Sequence, residues 1–321
     1  MGRDEAWIYP ATGIAAIYAA VTFFIKAATG YPGLPNGLTS FRAALFVVAV
    51  AAFFRFLRYL FRLWRSGEAR PSGRIVADFV PALIGFAPIA LGVAILSLFL
   101  FSITLSKSMI PAVVPFWADD MFATMDRAML LDAAWLAQLM TSWLPALGLF
   151  YGLWHATHLG GILWVLHWRR DSKARHILSF MLTWSIGMAL AYLFSSMGPI
   201  FIGLYDPSAA PPSVQKAAGY LLANYQGEKG MIGGGISAFP SMHVAIAAWL
   251  AIVLRDRGLP TLGIAYLIAV FACSLILGWH YAADGIGGMA IALLADRLAR
   301  AWLDRPRAAS LLVPEPVGTS A

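Results

Sequence analysis

Eight long apolar runs, separated by short polar or charged stretches, limit how this chain can fold. A transmembrane helix needs about 20 apolar residues, and the runs lie at residues 12–28, 41–62, 79–105, 143–166, 177–199, 241–256, 260–278 and 281–302. Charged residues make up 12% of the chain, whereas about 25% is usual in a soluble domain. The sequence predicts an all-α integral membrane protein, a helical bundle of about eight transmembrane helices. The first run could also be a signal peptide, but Asp4 and Glu5 precede it and favour its retention as a helix.

Basic residues are distributed unevenly between the loops. Most of the 23 lysines and arginines lie in four segments, 55–74, 167–176, 255–257 and 297–307. With eight spans, these segments and both termini fall on the same side of the membrane, which the positive-inside rule makes cytoplasmic. The opposite side receives the loops 29–40, 106–142, 200–240 and 278–281. We expect location in a bacterial inner membrane, with these loops in the periplasm. The net charge of +7 then reflects topology, and nucleic acid is not an expected partner.

The loops also suggest a division of the chain into regions. Residues 1–78 are predicted to form an N-terminal transmembrane hairpin with a basic cytoplasmic loop, 79–303 a catalytic transmembrane bundle, and 304–321 a disordered cytoplasmic tail. Loop 106–142 alternates apolar residues at helical spacing with aspartates, which predicts amphipathic helices lying on the membrane. Loop 200–240 contains prolines and a glycine run, which predicts a long irregular cap.

Two segments place a histidine at the start of an apolar run: residues 237–243 read SAFPSMH and residues 278–284 read GWHYAAD. A helix that begins at Ser241 descends through the membrane and the helix after Pro260 returns, since about 18 residues cover roughly 27 Å. His243 and His280 are therefore predicted to lie side by side on the extracytoplasmic face. Ionisable groups at membrane depth are costly and usually functional.

The residue types around the two histidines indicate phosphoryl transfer. His280 and Asp284 are spaced i, i+4, so the carboxylate can accept the ring N–H, orient the ring and raise its basicity. Two helix N-termini, with the backbone amides of the glycine run that ends at Gly235, favour an anion. A histidine nucleophile and a second histidine as acid fit chemistry through a phosphohistidine. The alternative is a pair of interfacial histidines bonded to backbone, with Asp284 favoured by the helix dipole.

The two segments resemble the second and third signature motifs of the type 2 phosphatidic acid phosphatase superfamily, and look closest to its inositol phosphorylceramide synthase-like branch. The resemblance implies a six-helix core, no metal or other cofactor, His280 as nucleophile, Asp284 as its partner and His243 as general acid. Features that precede these motifs in bacterial members also occur here: Lys107 with Ile110-Pro111, Asp120, Asp126-Arg127 and Gly198-Pro199. Residues 1–78 carry no recognisable motif.

The chain departs from the phosphatases of that superfamily at two points. Those enzymes carry a Ser-Arg pair shortly before the third-motif histidine, where this chain has Cys273 and Ser274. Their Lys-x6-Arg-Pro first motif is not evident either. Both departures fit the synthase-like branch and argue against simple phosphatase activity. The cations that balance the phosphate must then come from the loops on the same face, which contain Lys107, Arg127, Lys216 and Lys229.

Six residues are predicted to bind substrate or phosphate: Lys107, Arg127, Gly235, Ser237, Ser241 and Tyr281. Two of them also have an ordinary structural interpretation. Ser241 fits a helix N-cap as well as it fits a phosphate ligand. Lys107 fits a lysine whose amino group extends to the membrane surface.

A metal site is not expected. His155 and His158 lie three residues apart inside an apolar run, but no third ligand stands at a suitable spacing, which favours polar packing. Asp119, Asp120 and Asp126 could bind a divalent cation, but the group is more typical of a solvated helix face.

These features predict a membrane enzyme, a metal-independent phosphotransferase. It would move a phosphate or phospho-headgroup between lipid substrates and a hydroxyl acceptor. The expected partners are membrane lipids such as a phospholipid, a diacylglycerol or a ceramide-like molecule. A lipid phosphate phosphatase, with water as acceptor, is the alternative within the same chemistry. A transporter or scaffold, with the histidines as a proton relay, is a third interpretation.

Overall fold

The computed structural model describes residues 5, 7–34, 37–131, 133–168, 172–227 and 234–304. This part of the chain consists of helices and turns and contains no β-strand. The helices are α1 (Ile8–Thr29), α2 (Gly37–Arg65), α3 (Pro71–Val113), α4 (Asp119–Ala128), α5 (Ala133–Leu139), α6 (Leu144–Gly152), α7 (Trp154–Leu166), α8 (Ser172–Leu193), α9 (Pro212–Gln226), α10 (Met242–Asp256), α11 (Pro260–Ile276) and α12 (Ala282–Leu303). Single 3₁₀ turns lie at Thr141–Trp143, Pro199–Phe201 and Pro207–Ala209. The prediction of an all-α integral membrane protein is confirmed.

Helices occupy all eight of the predicted apolar runs. Within the described residues, three helical segments have the length and composition of a membrane span: Ile8–Thr29, Gly85–Val113 and Ser172–Leu193. A fourth is added if Ala133–Leu139 and Thr141–Leu166, bent by 81°, form one broken span. Pro260–Ile276 is equally apolar in character but shorter. The total of about eight spans remains a prediction.

The N-terminal helix packs into the same bundle as the later helices. Trp7, just before α1, is fully buried. Lys173 at the start of α8 lies 5.5 Å from the Trp7 ring centroid and forms a 3.0 Å ion pair with Glu5. α2 packs chiefly on α3, which runs without interruption past residue 78. The predicted boundary between an N-terminal hairpin and a catalytic bundle therefore falls inside a helix, and the division itself stays a prediction.

The centre of the bundle is formed by α8, α10 and α12. Lipid tails supply no hydrophobic driving force between helices, so association depends on close packing, which small residues permit. α12 presents a buried face of small residues: Gly285, Gly288, Ala292, Ala295 and Ala299. A Cβ at Gly288 would lie 2.5 Å from the backbone oxygen of Ser241, the N-cap of α10. A side chain at this position would push the starts of the two helices apart.

The predicted basic segments meet at one end of the bundle. Arg175 at the start of α8 forms ion pairs with Asp256, the last residue of α10, and with Asp296 in the second half of α12. The Arg257 guanidinium lies 5.0 Å from the centroid of the Trp168 ring. Trp168 follows α7, and residues of α2 line the same cavity as Trp168. This grouping agrees with the predicted topology, in which these segments share one side. The compartment that they face remains a prediction.

Two loops contain helices that the sequence did not predict. α3 continues to Val113, so Lys107 lies on a helix rather than in a loop. The predicted irregular cap at 200–240 contains α9, which has Pro212 in its first turn, where the fixed φ of proline favours a helix. In contrast, α4 and α5 are short helices with exposed apolar residues, in agreement with the predicted amphipathic helices. Residues 228–233, with Lys229, and the tail after Asp304 lie outside the described residues.

Candidate active site

The starts of α10 and α12 bring the two motif histidines together. His243 is the second residue of α10, and His280 stands two residues before α12 begins. α11 returns the chain between them, and their ring centroids are 6.0 Å apart. The predicted pairing of these histidines is confirmed.

His280 is held in one tautomer by its surroundings. Its Nδ1 lies 2.9 Å from the backbone oxygen of Ala238 and 3.3 Å from Oδ2 of Asp284. Both neighbours are acceptors, so Nδ1 carries the ring proton and Nε2 keeps a lone pair. Asp284 is fully buried, and its Oδ2 also accepts a 2.8 Å hydrogen bond from the backbone N–H of Tyr281. The predicted contact between His280 and Asp284 is therefore present. The Nδ1–H of His280 is shared between Asp284 and the backbone carbonyl of Ala238.

His243 contacts two aromatic rings that flank the break between α6 and α7. The Tyr151 ring is stacked on the imidazole with 4.6 Å between centroids, and the Trp154 ring lies 4.1 Å away. The indole Nε1–H of Trp154 also donates a 3.0 Å hydrogen bond to the backbone oxygen of His243. The interruption at Leu153 places both aromatic residues against one imidazole. These contacts restrict the orientation of the His243 ring, and neither could be recognised from the motif.

Hydrogen bonds to the backbone connect the two motifs directly. The N–H of Ser241 donates a 2.9 Å bond to the backbone oxygen of Asp284. In the other direction, the His280 ring bonds to the backbone oxygen of Ala238. Ser196, just after α8, holds residues 238 and 239 through its backbone oxygen and its hydroxyl. The relative position of the imidazoles thus depends on short contacts to the main chain.

Asp119 at the start of α4 anchors the loop that carries His280. Its carboxylate accepts hydrogen bonds from the backbone N–H groups of Met197 and Gly198, at 2.8 and 2.9 Å. It also accepts a 2.9 Å bond from the Tyr281 hydroxyl. The Tyr281 phenol is thus a hydrogen-bond donor to Asp119.

Asp126 holds the first turn of α12. Its two carboxylate oxygens lie 3.0 and 3.1 Å from the backbone N–H of Ala282. A carboxylate at a helix N-terminus satisfies a donor that has no partner within the helix and interacts favourably with the helix dipole. Asp119 and Asp126 are buried, and Asp120 is exposed. The prediction of a solvated helix face is therefore wrong for Asp119 and Asp126.

Residues 120–298, more than half of the chain, match the profile of the PAP2 superfamily, the type 2 phosphatidic acid phosphatases. The chain belongs to the PAP2 superfamily. No curated protein and no solved structure gives a significant match. Membership indicates a lipid phosphatase- or phosphotransferase-type activity. The matched region extends from α4 to the last turns of α12 and includes both histidine motifs.

Three predicted ligands of this PAP2 site have other partners in the structure. Ser241 is the N-cap residue of α10 and is fully buried. Its hydroxyl oxygen accepts a 3.4 Å hydrogen bond from the backbone N–H of Val244. The Tyr281 hydroxyl is bonded to a carboxylate, as described above. The hydroxyl of Ser237 donates to the backbone oxygen of Phe239 at 3.3 Å, and Ser237 is only partly buried. The contacts of Ser241 and Tyr281 position the starts of α10 and α12, and the binding of phosphate by all three residues stays a prediction.

Lys107 reaches the histidines from α3, outside the segment that matches the PAP2 superfamily. It interacts electrostatically with His243 and with His155. Gly235 has a φ of +82° and packs on the same turn of α3, because a Cβ there would lie 2.8 Å from the backbone carbonyl carbon of Lys107. The structure therefore brings Lys107 to the histidines and Gly235 to Lys107. Their binding of phosphate stays a prediction.

The other predicted cations are not brought to the histidines. Arg127 is exposed at the end of α4, where its Nη2 donates to the Thr124 hydroxyl at 2.9 Å. It lines a small cleft of about 30 Å³ together with Tyr281. Lys216 is exposed on α9. Lys229 lies outside the described residues, so its prediction stays open.

Uncharged, buried side chains replace the Ser-Arg pair of PAP2 phosphatases. Cys273 belongs to the apolar core, and the fully buried Ser274 donates its hydroxyl to the backbone oxygen of Phe271 at 2.7 Å. The backbone oxygen of Ser274 accepts from the N–H groups of Trp279 and His280, at 3.1 and 3.2 Å. This position supports the turn before His280 and supplies no positive charge.

His155 and His158 lie in an aromatic cluster. Three rings surround the buried His158 at centroid distances of 4.7, 5.4 and 5.6 Å, those of Trp154, Phe180 and Trp184. His155 is edge-on to His243, with 6.1 Å between centroids. In the part of the chain that the structure describes, no three His, Cys, Asp or Glu side chains are grouped to hold a metal ion. His158 therefore packs among aromatic rather than polar neighbours.

We expect Asp119→Ala to destabilise the protein, because two backbone N–H groups and the Tyr281 phenol would lose their acceptor. An unsatisfied buried donor costs about 1–3 kcal/mol, so the free energy of unfolding should fall by roughly 3 kcal/mol or more. Thermal unfolding of the purified protein in detergent measures this change. Asp120→Ala is the matched control, since Asp120 is adjacent and exposed. Equal stability of the two variants would contradict the anchoring role of Asp119.

Proposed function

We propose that the protein is a metal-independent lipid phosphotransferase, similar to the inositol phosphorylceramide synthases of the PAP2 superfamily. The proposal rests on the tautomer and the orientation of the His280 ring. Its Nδ1 is fixed against the oxygens of Ala238 and Asp284, which makes Nε2 the nucleophilic nitrogen. The imidazole of His243, 6.0 Å away between ring centroids, is the partner for proton transfer.

In the first step, Nε2 of His280 attacks the phosphorus of a phosphate ester. The N–P bond forms and the P–O bond to the leaving alcohol breaks. His243 donates a proton to the departing oxygen, which leaves as a neutral alcohol. The buried Asp284 carboxylate stabilises the positive charge that develops on the His280 ring, in the orienting role known from catalytic triads.

In the second step, an acceptor hydroxyl attacks the phosphohistidine. His243, now neutral, takes the hydroxyl proton, the new O–P bond forms and the N–P bond breaks. His280 is restored with its proton on Nδ1. A lipid hydroxyl as acceptor gives phosphotransfer, whereas water gives hydrolysis. The acceptor that reaches the site therefore decides between the two activities.

The charge of the site favours a phosphodiester donor. A phosphomonoester carries about −1.5 to −2 charges at neutral pH, whereas a diester carries one negative charge. Ser274 stands in place of the arginine of PAP2 phosphatases, and among the described residues Lys107 is the lysine that interacts with His243. One lysine and two helix N-termini balance a single negative charge better than a double one. A phospholipid with an alcohol headgroup contains such a diester.

The depth of the site suits lipid substrates. α10 has 15 residues, which cover roughly 22 Å, less than the apolar layer of about 30 Å. With the C-terminal end of α10 at one membrane surface, His243 lies below the opposite headgroups, within reach of lipid phosphates and hydroxyls. Because the basic loops lie at the other end, we assign the site to the periplasmic leaflet of a bacterial inner membrane, with both termini cytoplasmic.

Labelled phospholipid distinguishes transfer from hydrolysis. The purified protein in detergent is given phosphatidylinositol with a tritiated headgroup, with and without ceramide or a diacylglycerol of different chain length. We expect the labelled phospho-headgroup to move to the added lipid at a rate that rises with acceptor concentration and saturates. Thin-layer chromatography of the lipid extract measures the product. No transfer to either acceptor, with hydrolysis of a phosphate ester instead, would contradict the proposal.

A lipid phosphate phosphatase is the second candidate, because the match to the PAP2 superfamily favours it. Phosphatidic acid with a labelled phosphate tests this activity in the same preparation. Release of inorganic phosphate at a rate that acceptor lipids do not change would establish the phosphatase. Turnover of either kind in detergent, where no gradient exists, would exclude transport as the only role.

A further inference from the structure

A cavity of about 910 Å³ lies between α2, the first half of α3 and the connection from α7 to α8. Its walls are mainly apolar and include Ala52, Phe56, Ile75, Phe86 and Leu166. Sites for small molecules usually measure roughly 300–1,000 Å³. The cavity is therefore large enough for a headgroup and part of an acyl chain.

The cavity lies at the end of the bundle opposite to the two motif histidines. α3 lines it between Ile75 and Ile89, and interacts with His243 through Lys107. From Ile89 to Lys107 the helix rises roughly 27 Å. A molecule in the cavity does not touch His243 or His280, so this site is separate from that of the proposed reaction.

Three arginines of α2 form the basic part of the lining. Arg55, Arg58 and Arg62 recur at i, i+3 and i+7, which places them on one face of the helix. Among the described residues, no carboxylate lies within ion-pair distance of any of the three. The cavity therefore combines unpaired positive charge with an apolar wall.

The two carboxylates in the lining are already paired with other residues. Glu5 forms a 3.0 Å ion pair with Lys173. Asp78 forms a 3.2 Å ion pair with Arg74 and accepts a 2.7 Å hydrogen bond from the Tyr59 hydroxyl. Neither carboxylate neutralises the arginines of α2, so an anion in the cavity would meet a net positive charge.

We propose that this cavity binds an anionic phospholipid, with its phosphate among the three arginines and an acyl chain along the apolar wall. Arginine binds phosphate through paired N–H donors. Basic clusters beside transmembrane helices attract anionic lipids. The apolar wall favours a lipid over a soluble phosphate, which would gain nothing from it. In this position the lipid connects α2, which packs chiefly on α3, to the α7–α8 connection.

Retention of lipid by the full-length purified protein tests the proposal. The protein is exchanged into equal amounts of phosphatidylglycerol and phosphatidylcholine, and bound lipid is measured by native mass spectrometry. We expect preferential retention of phosphatidylglycerol, and a loss of at least about tenfold when all three α2 arginines are replaced by glutamine. The control is a second triple variant, which loses the same charge outside the cavity and should retain the lipid. It combines Arg65→Gln, Arg70→Gln and Arg297→Gln. An equal loss in both triple variants would overturn the proposal.

A second variant separates a lipid site from a site for phosphate alone. Ala52→Trp places a large side chain in the apolar part of the cavity, where the acyl chain is proposed to lie, and keeps the arginines. We expect it to lower phosphatidylglycerol retention as strongly as the arginine substitutions do. Full retention in Ala52→Trp, or displacement of the lipid by glycerol phosphate, would overturn the assignment to a phospholipid. Thermal unfolding in phosphatidylcholine checks that each variant is folded, and among the described residues α10 and α12 contribute none to the lining of the cavity.

Discussion

Replacing His280 by asparagine should abolish turnover while the protein keeps its fold. The asparagine amide can donate to Ala238 and Asp284 as the Nδ1–H does, but it has no nucleophilic nitrogen in the place of Nε2. Loss of a covalent nucleophile costs about 10⁴-fold or more in kcat. With tritiated phosphatidylinositol and ceramide, we therefore expect no product above background. An unchanged unfolding temperature in detergent would show that the fold is intact.

The phosphoenzyme itself gives the sharper measurement. Brief mixing with phosphate-labelled lipid, followed by an alkaline quench, traps an N–P bond, which survives alkali and breaks in acid. We expect acid-labile label on the unmodified protein and none on His280→Asn. His167→Asn, at the opposite end of the bundle, should be labelled like the unmodified protein. Label that persists on His280→Asn would place the nucleophile on another residue and refute the proposed mechanism.

The apolar runs predict the helices well because a bilayer leaves few alternatives. A chain in lipid must satisfy its backbone groups within each spanning segment, so an apolar run of span length forms a helix in almost any context. The predicted runs 241–256 and 260–278 differ from α10 and α11 by only one or two residues at their ends. Helix length is all that is needed to place His243 and His280 on the same face. The histidine pair was therefore predictable from the sequence.

The anchors of the site were not predictable, because they join residues that are far apart in the chain. Asp119 and Tyr281 are separated by 162 residues. The helical spacing around Asp119 fits both a carboxylate that faces water and one that accepts from a distant phenol. Nothing in the local pattern distinguishes the two. The same holds for Tyr151, whose apolar surroundings in the sequence are typical of any packed helix.

Breaks and short surface helices leave weak signals in a chain of this composition. Gly152 precedes the interruption at Leu153, but Gly187 lies inside the unbroken α8, so a glycine does not mark a break. α9 has a proline in its first turn, but its apolar face is narrow and the region lacks a run of span length. The α6–α7 contacts with His243 and the helix inside 200–240 therefore required the three-dimensional structure.

Replacing His243 by glutamine should lower kcat by about 10²–10⁴-fold for a lipid leaving group, the usual contribution of general acid–base catalysis. A diacylglycerol alkoxide is a poor leaving group unless it is protonated as the P–O bond breaks. In a p-nitrophenyl ester of the same phospho-headgroup, the leaving group is p-nitrophenolate, which is stable and needs no proton. We therefore expect a much smaller loss in the phosphorylation step with the p-nitrophenyl ester. Stopped-flow and product assays with the two esters measure both rates.

The second step makes the test of His243 more specific. The same imidazole accepts the proton of the incoming hydroxyl, so its loss should slow the breakdown of the phosphohistidine. His243→Gln should release p-nitrophenol in a burst equal to the amount of enzyme, followed by slow turnover, and should accumulate the acid-labile label. The burst and the label would disappear together in a variant that also carries His280→Asn.

Tyr151→Phe is the matched control, because it keeps the ring that stacks on His243 and removes only the hydroxyl. It should behave like the unmodified protein with both esters. Tyr151→Ala frees the imidazole from one of its two aromatic contacts. We expect it to lose more rate with the lipid than with the p-nitrophenyl ester, as His243→Gln does, but by a smaller factor. If His243→Gln instead lost the same factor in the phosphorylation step with the lipid and with the p-nitrophenyl ester, protonation of the leaving group could not be its role. His243 would then shape the site around His280 rather than act as the general acid.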